Sequence, residues 1–220
     1  MGIGGNGRRF SWVMLLIGLV LVADQCLKIW VKTHLHYGEE FSLFGQGWLS
    51  IHFVENNGMA FGFSLRGMYG KILLSLFRIL AVGFLSYFVY RLIVEMAPGR
   101  VLVAFSLILA GALGNILDSA FYGLIFSESY FHGSVARLFP PEGGYAGFLQ
   151  GKVVDMLHLP FFKPVFNIAD LAISSGVILL IICYRDFFRP VSEAGLPVSA
   201  GSNDGDGAPT SHPAGSEAEH

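Results

Sequence analysis

Two aspartates, Asp155 and Asp170, hold most of the chemistry this chain can perform. Asp155 closes Gly151-Lys152-Val153-Val154-Asp155 ahead of a long apolar stretch, and Asp170 lies inside that stretch. Two carboxylates brought together cannot both ionise readily, so one keeps a proton. The ionised one can take a proton from water while the protonated one polarises a carbonyl oxygen. That is peptide-bond hydrolysis without a metal or a covalent intermediate. Other polar residues are spaced to assist. Asn115 and Asp118 are three residues apart, as are Asn167 and Asp170, so each pair shares a helix face. Asp24 and Lys28 are four apart and can form an ion pair. The amides of Asn56, Asn115 and Asn167 offer donors and acceptors to orient substrate or aspartates.

The elements that must position these residues are membrane spans. Of the 220 residues, 53% are hydrophobic and 14% charged. Ordinary globular domains carry about 25% charged residues. Mean hydropathy is +0.58. This excludes a disordered chain, and a net charge of −2 leaves no basic surface for nucleic acid. A bilayer core needs about 20 apolar residues in a helix. Four stretches qualify, roughly residues 10–31, 69–90, 101–122 and 165–187. Arg8, Arg9, Arg91, Arg100, Arg185 and Arg189 all fall on one side of them. The positive-inside rule makes that side cytoplasmic, with both termini. At about 1.5 Å per residue, Asp24 and Asp170 lie about 22 Å from it, Arg78 about 20 Å and Asp118 about 27 Å. Each span thus places a charge in the outer part of the bilayer, which points to one shared polar site.

Two longer loops lie on the outer side, residues 32–68 and 123–164. In the first, Trp48, Ser50, His52 and Val54 alternate with Leu49, Ile51 and Phe53, the pattern of short strands at the membrane surface. The second, with Phe139-Pro140-Pro141-Glu142-Gly143-Gly144-Tyr145, reads as a lid or a partner surface. Cys26 and Cys183 read as two buried thiols rather than a disulfide framework. His34, His36, His52 and His158 show no ligand spacing with a carboxylate motif, so no metal is expected. The Gly/Ser/Pro/Ala-rich segment 190–220 reads as a disordered cytoplasmic tail after a single domain, 1–189. A transporter and a non-catalytic scaffold compete with the hydrolase reading. The first is disfavoured by charges lying towards one side and by the lack of a repeat.

Five motifs occur in order. They are Asp24-Gln-Cys-Leu-Lys28, Asn56-Asn57-Gly58-Met59-Ala60-Phe61, Gly111-Ala-Leu-Gly114-Asn115-Ile-Leu-Asp118, Val153-Val154-Asp155 and Phe166-Asn167-Ile168-Ala169-Asp170. Through them the chain resembles the lipoprotein signal peptidase (signal peptidase II) family of bacterial inner-membrane aspartyl proteases. The resemblance implies an all-α membrane protein, with four transmembrane helices, a small extracytoplasmic β-rich cradle and a lid loop. It implies an Asp155/Asp170 dyad that cuts diacylglyceryl-modified prolipoproteins just before the lipidated cysteine. Asp24, Lys28, Asn56, Gly58, Asn115, Asp118 and Asn167 would shape and support the site. It implies no metal and no organic cofactor, and the expected partners are substrate and membrane lipid around a monomer. Two departures stand out. The family Arg after the third-motif Asp is Ser119 here, and the loop before Asp155 is longer than in compact members. Matching depth suggests that Arg78, on the second span, supplies the missing cation; the competing reading is that it snorkels to headgroups.

Overall fold

The computed structural model describes residues 3–43, 45, 47–56 and 68–183, with backbone alone at 3–4 and 68–75. Gly58, Arg185, Arg189 and the segment 190–220 therefore lie outside the described residues. Helix α1 (Ile3–His34) is followed by strands β1 (Glu40–Ser42) and β2 (Ser50–Asn56). Helices α2 (Met68–Val94) and α3 (Gly99–Leu117) come next. A π-helical turn (Asp118–Tyr122) then leads into the short α4 (Gly123–Ile125). Strands β3 (Val153–Leu159) and β4 (Phe162–Phe166) precede α5 (Ile168–Ile182).

Three helical segments are long and apolar enough to cross a membrane: Gly5–His34, Leu76–Val94 and Gly99–Ile125. Ile168–Ile182 is a shorter apolar helix. Their outward faces are apolar and exposed, as at Trp12, Leu19, Phe77, Phe84 and Ile181, while Asp24, Lys28, Lys32 and Asp118 are buried. This inversion suits a lipid solvent, in which charged groups turn inward. Small residues let the helices close. A Cβ on Gly111 would collide with the Ala169 carbonyl, and one on Gly114 would come 2.8 Å from Asp24 Oδ2. Small residues at such crossings let backbones approach without a water-driven term. Cys183 is buried, but Cys26 is exposed, against expectation. It sits between the inward-facing Asp24 and Lys28 and so points away from the bundle.

The four strands form one antiparallel sheet in the order β1-β2-β3-β4. Ile51 and Phe53 of β2 and Val154 and Met156 of β3 pack on Val31 and Leu35 of α1 and on Tyr122 and Phe126. The alternation read in residues 48–54 is thus a strand with one face buried. At the opposite end, Arg9 Nη1 donates to the Ala97 carbonyl at 2.6 Å, joining the start of α1 to the α2–α3 turn.

Several boundaries differ from the sequence reading: α1 runs from Ile3 to His34 rather than 10–31, and α2 continues to Val94. Val165 and Phe166, read as the start of the last apolar helix, belong to β4, and the helix starts after Asn167. An apolar run fits a strand as well as a span, and only the cap separates the two. The third helix also runs beyond 122, through the π turn to Ile125. Part of the second long loop is the β3–β4 hairpin, which the lid reading did not anticipate.

Candidate active site

Asn167 starts α5 as its N-cap. Its Oδ1 accepts from the Asp170 backbone N–H at 2.8 Å, and Asp170 Oδ2 accepts from the Asn167 N–H at 3.4 Å. This reciprocal box satisfies two N–H groups that a helix start leaves open. A third, at Ala169, donates to Asp24 Oδ1 at 2.9 Å. With Oδ1 committed to the helix, Asn167 Nδ2 points the other way. It donates to Asp155 Oδ1 at 2.6 Å and lies 3.1 Å from Asn115 Oδ1. Asn115 Nδ2 donates in turn to Asp170 Oδ1 at 2.8 Å. Two carboxamides thus link the two aspartates.

A polar bed from α1 and the π turn fixes the carboxamides. Lys28 Nζ lies 2.8 Å from Asp24 Oδ2, 2.8 Å from Asp118 Oδ2 and 3.0 Å from Asn115 Oδ1. The ammonium can only donate, so it holds the oxygen of Asn115 towards itself and the amide nitrogen towards Asp170. Asp118 Oδ2 also accepts from the Val154 N–H at 3.3 Å, tying the turn to the strand beside Asp155. Gln25 Nε2 donates to Asp118 Oδ1 at 2.9 Å, and Tyr122 Oη donates to Gln25 Oε1 at 3.1 Å. Turns of π helix recur at functional sites, and this one presents both Asp118 and Ser119 to the interior.

Asp155 is almost fully buried on β3. Burial pushes its carboxyl up to about 7, and the neighbouring Asp170 charge adds to the rise. Hydrogen bonds from Asn167 and Asn56 and the charge of Lys28 pull the other way. A carboxyl that holds its proton near neutrality beside a second carboxylate is the arrangement general acid–base hydrolysis needs.

Arg78 projects from α2 to this cluster. Its Nη1 donates to Ser119 Oγ at 3.0 Å, and that hydroxyl donates to the Asn115 carbonyl at 3.0 Å. Asp170, Asp118 and Asp155 are the acidic groups in its field. The snorkelling alternative does not match this inward geometry.

The family model for signal peptidase II matches residues 16–185. The chain belongs to the signal peptidase II family. It is accordingly an aspartic endopeptidase. A lipoprotein signal peptidase from Porphyromonas gingivalis is 46% identical over 192 residues, covering 78% of this chain and 82% of that one. Another from Chlorobium phaeobacteroides is 37% identical over 174 residues, covering 79% and 96%. A solved bacterial membrane enzyme shares the fold with a TM-score of 0.57 and 28% identity, covering 79% of this chain and 92% of that one.

For this signal peptidase II, the structure brings Asp24, Lys28, Asn115, Asp118, Asn167, Asp155, Asp170 and Arg78 into one connected cluster. Asn56, which ends β2 opposite Val153, joins this cluster through its hydrogen bond to Asp155. Gly58 lies outside the described residues. Two participants were missed. Gln25 lies inside a quoted motif and Tyr122 closes the π turn, and neither carries the charge that drew attention to its neighbours. A second network also went unread. Lys32, buried near the end of α1, pairs with Glu55 of β2 and donates to Ser129 Oγ at 2.8 Å. Lys152 lies 3.1 Å from Glu55 Oε2 and also pairs with Glu128. These partners clamp the long loop to α1 and β2. The spacing of Lys28 and Lys32, one turn apart, was the available signal.

Proposed function

We propose that this peptidase removes the signal peptide from diacylglyceryl-modified prolipoproteins, cutting just before the lipidated cysteine. The observation that supports this best is the Asp155–Asn167–Asn115–Asp170 chain of hydrogen bonds. Asp170, which accepts from Asn115 Nδ2 and from the Asn167 N–H, serves as the base. Asp155, buried and protonated near neutrality, serves as the acid. Asp170 takes a proton from water as the water oxygen attacks the scissile carbonyl carbon. Asp155 gives its proton to the carbonyl oxygen. When the tetrahedral intermediate collapses, the C–N bond breaks, the proton on Asp170 passes to the leaving amine, and one hydroxyl proton of the intermediate returns to Asp155, leaving a carboxylic acid and the dyad in its starting state. Neither step needs a metal or an organic cofactor.

Asp24, Lys28 and Asp118 set the orientation of the two carboxamides. Asn56, at the end of β2, faces the substrate, and Gly58 contributes to substrate binding. Arg78 takes the place of the cation that Ser119 lacks. The sheet and long loop form the cradle and lid on the extracytoplasmic side of the inner membrane. The diacylglyceryl chains remain in lipid while the scissile bond reaches the dyad. α5 forms the fourth span, both termini are cytoplasmic, the peptidase domain occupies residues 1–189, and the enzyme acts as a monomer.

The test is cleavage of a diacylglyceryl-modified prolipoprotein in detergent, with the new N-terminus read by mass spectrometry. Wild type is compared with Asp155→Asn and Asp170→Asn, each shown to be folded. Cleavage before the lipidated cysteine, absent in both variants, is the expected result. Turnover by either folded variant at the wild-type rate would falsify the dyad.

A further inference from the structure

The sheet register assembles a group of metal-binding side chains that the sequence keeps far apart. Glu40 on β1 pairs with His52 on β2, and Ser50 on β2 pairs with His158 on β3. One carboxylate oxygen and one ring nitrogen from each histidine all lie within 4.8 Å of one another. His158 Nδ1 is 2.9 Å from Glu40 Oε1, and His52 Nδ1 is 3.5 Å from Glu40 Oε2. The two rings meet edge to face with centroids 5.7 Å apart.

We propose that Glu40, His52 and His158 form a divalent-metal site on the sheet, suited to zinc. Two imidazoles and a carboxylate are a donor set zinc takes. Bonds of about 2.0–2.1 Å in a tetrahedron put the donors about 3.3 Å apart. His158 Nδ1 lies 2.9 Å from Glu40 Oε1, and one donor atom from each of the three residues lies within 4.8 Å of the others, close to that spacing. The side chains are 43%, 28% and 24% exposed, so an ion can enter from solvent and keep water as a fourth ligand. A supporting shell is present as well. Ser50 is buried, and its hydroxyl donates to Glu40 Oε1 at 2.6 Å, orienting the carboxylate as outer partners of metal ligands do.

The bound ion ties together three strands. β1 has three residues and pairs only with β2 in the sheet, so it gains most from a cross-link. β3 carries Asp155 three residues before His158. The ion therefore steadies the strand that presents a dyad residue, while hydrolysis itself proceeds without it.

The test uses full-length protein in detergent, stripped with a chelator and titrated with zinc by calorimetry at neutral pH. Cobalt serves as a second probe, through the visible absorption of a tetrahedral site. One equivalent of zinc is expected, with affinity at least tenfold weaker in Glu40→Gln and lost in His52→Ala/His158→Ala. Zinc should raise Tm in wild type and not in the double variant. If the double variant does not fold, Glu40→Gln and His158→Asn give the same comparison singly. No stoichiometric zinc in wild type overturns the site. Binding that survives all these substitutions, which would place the ion on other histidines, overturns it too.

Discussion

At the scale of residues, the unusual group is Asp155. Burial and then the Asp170 charge push its folded-state carboxyl up to about 7, above the ordinary aspartate value of 3.8. The native state therefore holds a proton that the unfolded chain has released between those values. The ionisation cost is absent at acid pH, grows as pH rises from about 4 to about 7, and is complete above. It amounts to at most about 4 kcal/mol at about 1.36 kcal/mol per unit. Asp155→Asn is thus expected to abolish cleavage yet raise Tm at pH 8 more than at pH 5, measured by thermal unfolding in detergent. Wild-type kcat/KM should fall about tenfold per unit as pH rises beyond about 7, once the dyad loses its shared proton. A pH–rate profile flat to strongly alkaline pH would count against the shared proton. Arg78 is the second residue to examine. Arg78→Ala should lower kcat/KM by about 10- to 100-fold, the loss of one charge-assisted contact of about 1.5–3 kcal/mol. Arg78→Ala/Ser119→Arg should recover part of that rate. Full activity of Arg78→Ala would remove its role.

At the scale of elements, α1 and α5 do different work. α5 contributes its N-terminus, where capping fixes the positions of Asn167 and Asp170 together. α1 contributes a column of Asp24, Lys28 and Lys32, one helical turn apart and all buried. The first two bind Asp118, Asn115 and the start of α5, and the third anchors the sheet and the long loop. Glu55, between Lys32 and Lys152, tests that anchor. Burial alone would raise its carboxyl, but Lys32 and Lys152 overcome this and hold it below its usual range. Its stabilising contribution is therefore present above the ordinary glutamate value and is lost as pH falls through the lowered one. Glu55→Gln should cost about 3–5 kcal/mol at pH 7, because it leaves buried Lys32 without its carboxylate. Thermal unfolding should show the gap from wild type narrowing in acid. Most of this anchor was not legible in the sequence. Glu55, Glu128 and Lys152 read there as dispersed loop charges, because spacing along a loop says nothing about which strand it will meet.

At the scale of the whole molecule, the Arg9–Ala97 contact puts the start of α1 and the α2–α3 turn at one end, with the sheet at the other. The proposed orientation can be checked in a Cys26→Ala/Cys183→Ala background. Phe161→Cys, at the exposed β3–β4 turn, should react with a membrane-impermeant thiol reagent from the outer side. Glu95→Cys, near the α2–α3 turn, should react only after the membrane is opened. The reverse pattern would invert the topology. The sequence by itself pointed to four apolar spans, three of which are long helices and the fourth a shorter one, to short strands around residues 48–54 and to most of the polar residues that meet in one cluster. Those features rest on local signals: apolar runs, alternation, and polar pairs three or four residues apart. It left undecided where β4 ends and α5 begins, because an apolar run suits both until a cap breaks it. The tertiary structure alone decided that Arg78 meets Ser119, that Lys32 meets Glu55, and that Glu40, His52 and His158 converge. Those meetings depend on helix rotation and strand register. α1 is apolar on nearly every face, so no amphipathic stripe sets its rotation. The few charges that must find partners away from lipid set it instead, and those partners lie on distant segments of the chain.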